Sequence, residues 1–398
     1  MRIGVPAYRF DYYTNLRTIV NKLPDVAYVP VRDLYGFLRG AALRVNRVVG
    51  KPLIPTFNLN NQFEDFDLNK VDLLHFSNGI SYGKIPWISS FETILPRFEN
   101  LVTRHQGSQA QPLVLDNLSK RGLEALCGSA CKQIIAWSRC AANIQKNLLN
   151  NLPPIYTQPI LEKMVVLAPP QEVIRALPQE RQYSTANPIC FLMVGAAFFR
   201  KGGRETFEVF EKLAAEGLPI HLILVSSLRL EPYAAQETEA DVAWAKGIIA
   251  SQPAWLEYYE DLPNAQVLAL ADSADVGLLP TWADTYGLSV IEMQAGACPV
   301  ITTDIRAIPE MNDPRVGWMI NVPKNALGEA LYTTPEEREN LHAAILGGLE
   351  QTIREIVANP AVIAIKGEAA AEKIKLEHSP ENYAEALRQI YQKALSAR

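Results

Sequence analysis

Cysteine and histidine are scarce in this chain, five of each among 398 residues. Cys127, Cys131, Cys140, Cys190 and Cys298 are odd in number, scattered and without CxxC spacing. That pattern argues against a disulfide framework or a zinc site and fits the reduced thiols of a cytoplasmic protein. His75, His105, His221, His342 and His378 form no HxxxH or HxH pair, so a histidine metal centre has no support. No run of about 18 apolar residues occurs, so no spanning helix is expected. The start, MRIGVPAYRF, has no long apolar stretch and no cleavage site, so no signal peptide is expected. Neither GxGxxG nor GxxxxGK[ST] is present, which removes the fingerprints of dinucleotide and ATP binding. Positive charge is in deficit: the net charge is -5 and the pI about 5.7. Nucleic-acid binders usually carry a basic patch, so nucleic acid is not an expected partner. A small anionic ligand needs only two or three placed cations.

What is present is material for two cores. The chain is too long for one ordinary domain, and 48% of it is hydrophobic. Short apolar runs alternate with helical patterns, which predicts a parallel α/β architecture. In the first half the strands are Arg2–Pro6, Val26–Val31, Val71–Ser77, Ile85–Ser90 and Gln133–Ser138, with a helix over Tyr12–Lys22 and another ending near Asn150. Residues 50–70 carry no clear period. Prolines 153, 154, 159, 169, 170 and 178, dense enough to break helices and strands, place the interdomain connection in 151–187. In the second half, Ile189–Gly195 is a continuous apolar run, as in a strand buried on both faces. Strands at Ile220–Ser226, Trp255–Glu260, Val276–Pro280 and Val300–Thr303 alternate with helices at Arg204–Ala215, Ala234–Ala250, Ala265–Ala274 and Leu288–Ala295. The expected domains are 1–168 and 169–378, with an amphipathic helix over 380–397 packing back on the first.

The strongest chemical signal is PTWADTYGLSVIEMQAGACPV at 280–300. A strand ends, a loop carries Asp284, and Gly287 opens a helix. Helix N-termini present unpaired N–H groups and a positive dipole end, so they hold phosphates. Gly287, Leu288 and Ser289 would aim amides into the crevice at the strand ends, where doubly wound folds bind ligands. Glu292, one turn further, could accept from ribose hydroxyls, and Asp284 from those of a sugar. The blander reading makes both acids caps of an ordinary loop. A second element favours the ligand: Ile189–Gly195 runs into AAFFRKGGRETF, where Arg200 and Lys201 can neutralise a diphosphate. By itself that turn reads as a solvated basic loop; both turns face one sheet edge, so they support each other.

These residues resemble the retaining glycosyltransferase family 4 of the GT-B fold. The resemblance rests on Val194-Gly195…Arg200-Lys201-Gly202, on Ala274-Asp275-Val276…Leu279-Pro280 and on the region of an E-x7-E motif. It is good over most of 187–320 and weak before that. The second motif acid is Glu292; the first is Asp284, a shorter carboxylate at the same spacing. Where members often carry an arginine after the first glycine, this chain has Ala196, with Arg200 beside Lys201 as the substitute. The resemblance implies two Rossmann-like domains facing each other across a cleft. It implies a nucleotide-sugar donor such as UDP-glucose, no metal or cofactor, and a glycan or lipid-linked acceptor. Arg200 and Lys201 would bind the diphosphate, Glu292 the ribose, and Asp284, Tyr286, Gly287, Leu288 and Ser289 would line sugar and phosphates. Tyr259 and Glu260, within Tyr258–Asp261, would meet the nucleobase edge with Ser226 nearby. Glu92 falls, by the resemblance, at the position of a sugar-facing histidine of the family; the alternative is a helix-start acid stabilised by the dipole. His75 reads as a core histidine rather than a cleft residue.

Two other functions fit the same residues: a GT-B protein that binds the nucleotide sugar without transferring it, and a GT-B sugar-nucleotide epimerase. Asp65-Phe66-Asp67 matches the short DxD metal motif of another glycosyltransferase class, but no Rossmann-type strand precedes it and it reads as chance. Residues 32–51 combine Arg32, Arg39, Arg44, Arg47 and Lys51 with apolar positions. The favoured reading is a surface helix whose apolar face packs on the first sheet; the other is peripheral docking on the inner face of an anionic membrane.

Overall fold

A computed structural model describes residues 1–107, 113, 115–177, 181–231 and 233–396. Pro178 and Ala397 lie outside the described residues. The chain divides into two compact units: Met1–His105 with Ala110–Pro170 and Pro380–Arg398, and Gln106–Gln109 with Gln171–Ser379.

The strands of the first unit are β1 (Arg2–Pro6), β2 (Ala27–Val31), β3 (Gln62–Phe63), β4 (Leu73–Ser77), β5 (Ile80–Ser81), β6 (Trp87–Phe91), β7 (Cys131–Ala136) and β8 (Met164–Val166). β3 and β5 pair with each other; the rest form one sheet in the order β2-β1-β4-β6-β7-β8, with parallel neighbours. β4 and β6 are buried along their whole length, as strands covered on both faces must be. The helix Pro380–Ser396 belongs to this unit: Tyr383, Leu387 and Tyr391 join Ile3, Leu73, Ile88 and Ile135 in one core. His75, fully buried, sits between the Tyr391 hydroxyl (2.8 Å from Nδ1) and Ser90 Oγ (2.9 Å from Nε2). Burial pushes its pKa down to about 3. It is a satisfied core histidine.

Several expectations need correction here. The first helix covers only Tyr13–Thr18, because the chain turns at Asn21 with φ +59°. Pro154–Leu161 is a helix despite its prolines; Pro154 takes the first position, where no N–H is needed. Glu92 starts no helix: it follows β6 in irregular chain, half-buried, with its N–H towards Asn78 Oδ1 at 3.4 Å. The basic segment does form a helix, Leu34–Val49, but Ala42 is its only buried residue. Phe37 is 72% exposed and Val48 88%, so the apolar face does not pack on the sheet. Asp65 and Asp67 build turns: Asp65 accepts from the N–H of Asp67 and Asn69, and Asp67 from that of Lys84 at 2.6 Å.

The second unit carries β9 (Ile189–Val194), β10 (Ile220–Val225), β11 (Leu256–Tyr259), β12 (Val276–Leu279), β13 (Val300–Thr303) and β14 (Gly317–Ile320), all parallel, in the order β11-β10-β9-β12-β13-β14. Helices Gly203–Ala215, Glu239–Ala250, Asn264–Ser273 and Leu288–Ala295 connect them. The helix expected from Ala234 starts only at Glu239, where Thr238 and Asp241 make a capping box. Two long helices, Pro335–Ala358 and Ala361–Glu377, complete the unit. Among the described residues no helix is long and apolar enough to cross a membrane.

Candidate functional site

From β9 the chain runs to β10 and β11 on one side, then returns to β12 on the other. The carboxyl ends of β9 and β12 are therefore the point where strand order reverses, the usual binding crevice of such sheets. The turn after β9 carries Arg200 and Lys201, and the turn after β12 carries Asp284. They are stitched together. Trp282 N–H donates to the Arg200 carbonyl at 2.9 Å, and Arg200 Nη1 donates to the Ala283 carbonyl. Gly202 closes the seam: it has φ +84°, and a Cβ there would lie 2.1 Å from the Pro280 carbonyl oxygen.

The charges are paired. Lys201 Nζ lies 3.3 Å from Asp284 Oδ2, and both side chains are less than one-fifth exposed. Burial alone would raise the Asp284 pKa. The positive charges of Lys201 and Arg200 outweigh it, so the carboxyl stays below its ordinary range. Arg200 Nε donates to Glu231 Oε2 at 2.8 Å, and its guanidinium lies 5.9 Å from the Tyr233 ring centre. Burial disfavours its charge, yet Tyr233, Asp284 and Glu231 together hold its pKa above the ordinary value.

The helix Leu288–Ala295 begins beside this pair. Its N-cap is Gly287 at φ +90°, a conformation that costs a side-chain residue strain. A first helical turn has N–H groups without intrahelical acceptors. In that turn the Ser289 hydroxyl is occluded yet has no hydrogen-bond partner among the described residues. Buried hydroxyls are ordinarily paired, so this one is poised for an acceptor such as a phosphate oxygen. Glu292 is buried one turn further in.

Not every expected residue meets this crevice by its side chain. Tyr286 is buried, and its N–H donates to Asp284 Oδ1 at 3.3 Å, so it shapes the loop. Ser226 is 2% exposed: its N–H donates to the Tyr259 carbonyl at 2.9 Å and its Oγ receives the Leu228 N–H at 3.2 Å. It ties the ends of β10 and β11 rather than presenting a hydroxyl. Ala196 offers its carbonyl to the Arg229 N–H at 2.8 Å. Tyr259 ends β11 at the same sheet edge and Glu260 follows it exposed. Glu92 lies in the other unit. Sequence reasoning missed Glu231 and Tyr233, which fix Arg200; no spacing rule ties them to it, because a long irregular loop delivers them.

Residues 188–336 match the family model described as Glycosyl transferases group 1. No curated protein sequence matches the chain. Among solved structures, Anabaena Alr3699/HepE in complex with UDP and glucose is similar at TM-score 0.57 and 12% identity, covering 98% of this chain and 99% of that one. Sucrose-phosphate synthase from Thermosynechococcus elongatus gives 0.55 and 14%, over 94% and 82%. A glycosyltransferase from Rickettsia africae ESF-5 gives 0.53 and 14%, over 99% and 98%. The chain thus has the GT-B fold of glycosyltransferases, and residues 188–336 of its second unit are similar to the group 1 glycosyl transferases.

Proposed function

We propose that this protein is a retaining glycosyltransferase of family 4 that moves a hexose from a nucleotide sugar, a UDP-hexose such as UDP-glucose, to a glycan or lipid-linked acceptor. The observation that carries the reading is the convergence of Arg200, Lys201 and the Gly287 helix start on one switch point. Two cations and a helix terminus are what a diphosphate leaving group needs as charge develops on it. Lys201 exchanges Asp284 for phosphate oxygens when the donor binds, and Asp284 then accepts from sugar hydroxyls. Glu292 takes the ribose. In a retaining reaction the acceptor hydroxyl attacks from the leaving-group side and passes its proton to the departing phosphate. Because side chains and amides supply the positive charge, turnover is expected to persist in EDTA. Calorimetry with UDP and UDP-glucose, with transfer assays, tests the assignment. Lys201→Ala and Glu292→Ala should each weaken UDP binding by about tenfold or more; unchanged affinity in both would remove the site.

The exposed face of Leu34–Val49 supports an anionic membrane surface as a further partner. Leu34, Phe37, Ala41, Val45 and Val48 recur every three or four residues on its outward side, all exposed. No acid occurs between Leu34 and Phe63, while Arg39, Arg44, Arg47 and Lys51 do. That composition suits an interfacial helix.

A further inference from the structure

The first unit has a switch point of its own. Its strand order reverses between β1 and β4, so the carboxyl ends of those strands form the corresponding crevice. Arginines gather there. Arg9, just past β1, donates from Nη1 to the carbonyl of Ser77, the last residue of β4, at 2.7 Å. Arg39 arrives from the helix Leu34–Val49. The guanidinium groups of Arg39 and Arg9 both lie over the Tyr8 ring, 5.1 and 5.5 Å from its centre. Arg97 lies 5.4 Å from the centre of Phe57.

One short stretch, Phe57 to Asn61, which ends in the 3-10 turn Leu59–Asn61, threads all three. Arg39 Nε donates to Asn60 Oδ1. Asn61 Oδ1 accepts from Arg9 Nη2 at 3.5 Å, while Asn61 Nδ2 donates to the Arg97 carbonyl at 2.9 Å. This is the segment whose sequence shows no period; what it builds is a scaffold for cations.

The counter-charge is missing from the protein itself. None of the three arginines has an ion pair with a carboxylate among the described residues. All are half-buried. Burial comes first in holding Arg9 below its ordinary pKa, and the nearby charges of Arg97 and Arg39 add to it. Asp33, on the same edge, caps the helix through Oδ1 to the N–H groups of Tyr35 and Gly36. Its own pKa is raised by burial. The second unit's switch point differs: there Lys201 and Arg200 are neutralised by Asp284 and Glu231.

Half-buried cations that have neutral hydrogen-bond partners but no counter-charge are costly unless an anion completes them. Guanidinium forks match the oxygens of a phosphoryl group two at a time. We infer that Arg9, Arg39 and Arg97 form a binding site for a phosphoryl group carried by the acceptor. This rests on the transferase reading above for the word acceptor, but not for the site.

The test uses the full chain with saturating UDP present to occupy the second unit. Inorganic phosphate is titrated calorimetrically in chloride buffer of fixed ionic strength, against wild type, Arg39→Gln, Arg97→Gln and the double variant. Each single change should weaken phosphate binding by about tenfold, and the double by more. UDP affinity should not move and thermal unfolding, measured alongside, should stay a single cooperative transition, which separates loss of the site from loss of fold. Equal phosphate heat in wild type and double variant overturns the site. So does glucuronate binding as tightly as phosphate with the same variant sensitivity, since that is carboxylate recognition. Two arms identify the carrier. Glucose 1-phosphate tests a soluble one, and phosphatidylcholine vesicles with phosphatidic acid test a lipid one; Arg39→Gln must weaken whichever binds. If UDP fails to bind while phosphate binding stays arginine-dependent, the transferase reading falls and the phosphoryl site stands.

Discussion

Lys201 and Asp284 neutralise each other where a nucleotide diphosphate is proposed to bind, so the free site stores its cation on an internal anion. Removing that anion should release the cation. Asp284→Asn is therefore expected to tighten UDP binding several-fold while lowering sugar transfer, because the sugar hydroxyls proposed to bind there lose a charged acceptor oxygen and meet an amide N–H donor instead; weaker UDP binding would contradict the pairing. The pH dependence follows from the same pair. A carboxyl held below its ordinary range contributes stability that is present above the unfolded value and is lost as pH falls through the folded one. Urea midpoints of the wild type should thus drop below about pH 4, and those of Asp284→Asn should drop less steeply. His342 has the opposite sign. Its Nδ1 lies 2.8 Å from Glu205 Oε1, and that hydrogen bond raises its pKa although burial pulls the other way. Its contribution is complete below about pH 6.5 and fades as pH climbs through the raised value. His342→Gln should flatten the stability profile above about pH 6.5.

At the scale of elements, the legible parts were those with a local cause. The strands of the second unit are nearly continuous apolar runs, and Gly287 followed by Leu288–Ala295 is a glycine-started helix whose N-terminus can be read directly. The illegible parts have long-range causes. Phe57 to Asn61 is ordered by Arg9, Arg39 and Arg97 from elsewhere in the chain. Glu231 is placed by a loop held through the Arg229 N–H at the Ala196 carbonyl. The last helix shows what such contacts are worth. Tyr391 reaches the sheet through His75, both fully buried. Tyr391→Phe leaves His75 Nδ1 unpaired in the core, which should cost about 1–3 kcal/mol in urea unfolding. The double variant with His75→Leu should recover part of that loss, since both ends of the pair then become apolar. A double variant worse than the sum of the singles would show that packing, not the hydrogen bond, sets the cost.

At the scale of the whole molecule, charge is distributed against the average. The chain carries -5, yet the stretch from Leu34 to Phe63 has Arg39, Arg44, Arg47 and Lys51 and no acid. Arg44 and Arg47 flank the exposed Phe37 and Val48 on one helix. A surface of that kind gains from anionic lipid about 1 kcal/mol per cation near the headgroups, and salt screens it within roughly 10 Å at 0.1 M. Sedimentation with vesicles containing phosphatidylserine should therefore capture the protein at low salt and release it as salt rises. Neutral phosphatidylcholine vesicles should capture far less. Arg44→Glu with Arg47→Glu should abolish the salt-sensitive part by reversing the local charge, and Phe37→Ser with Val48→Ser should weaken what remains at higher salt. Both pairs sit on exposed side chains, so the thermal midpoint should hold. Capture that ignores lipid charge and both pairs of substitutions would mean the outward face of this helix serves something other than a membrane.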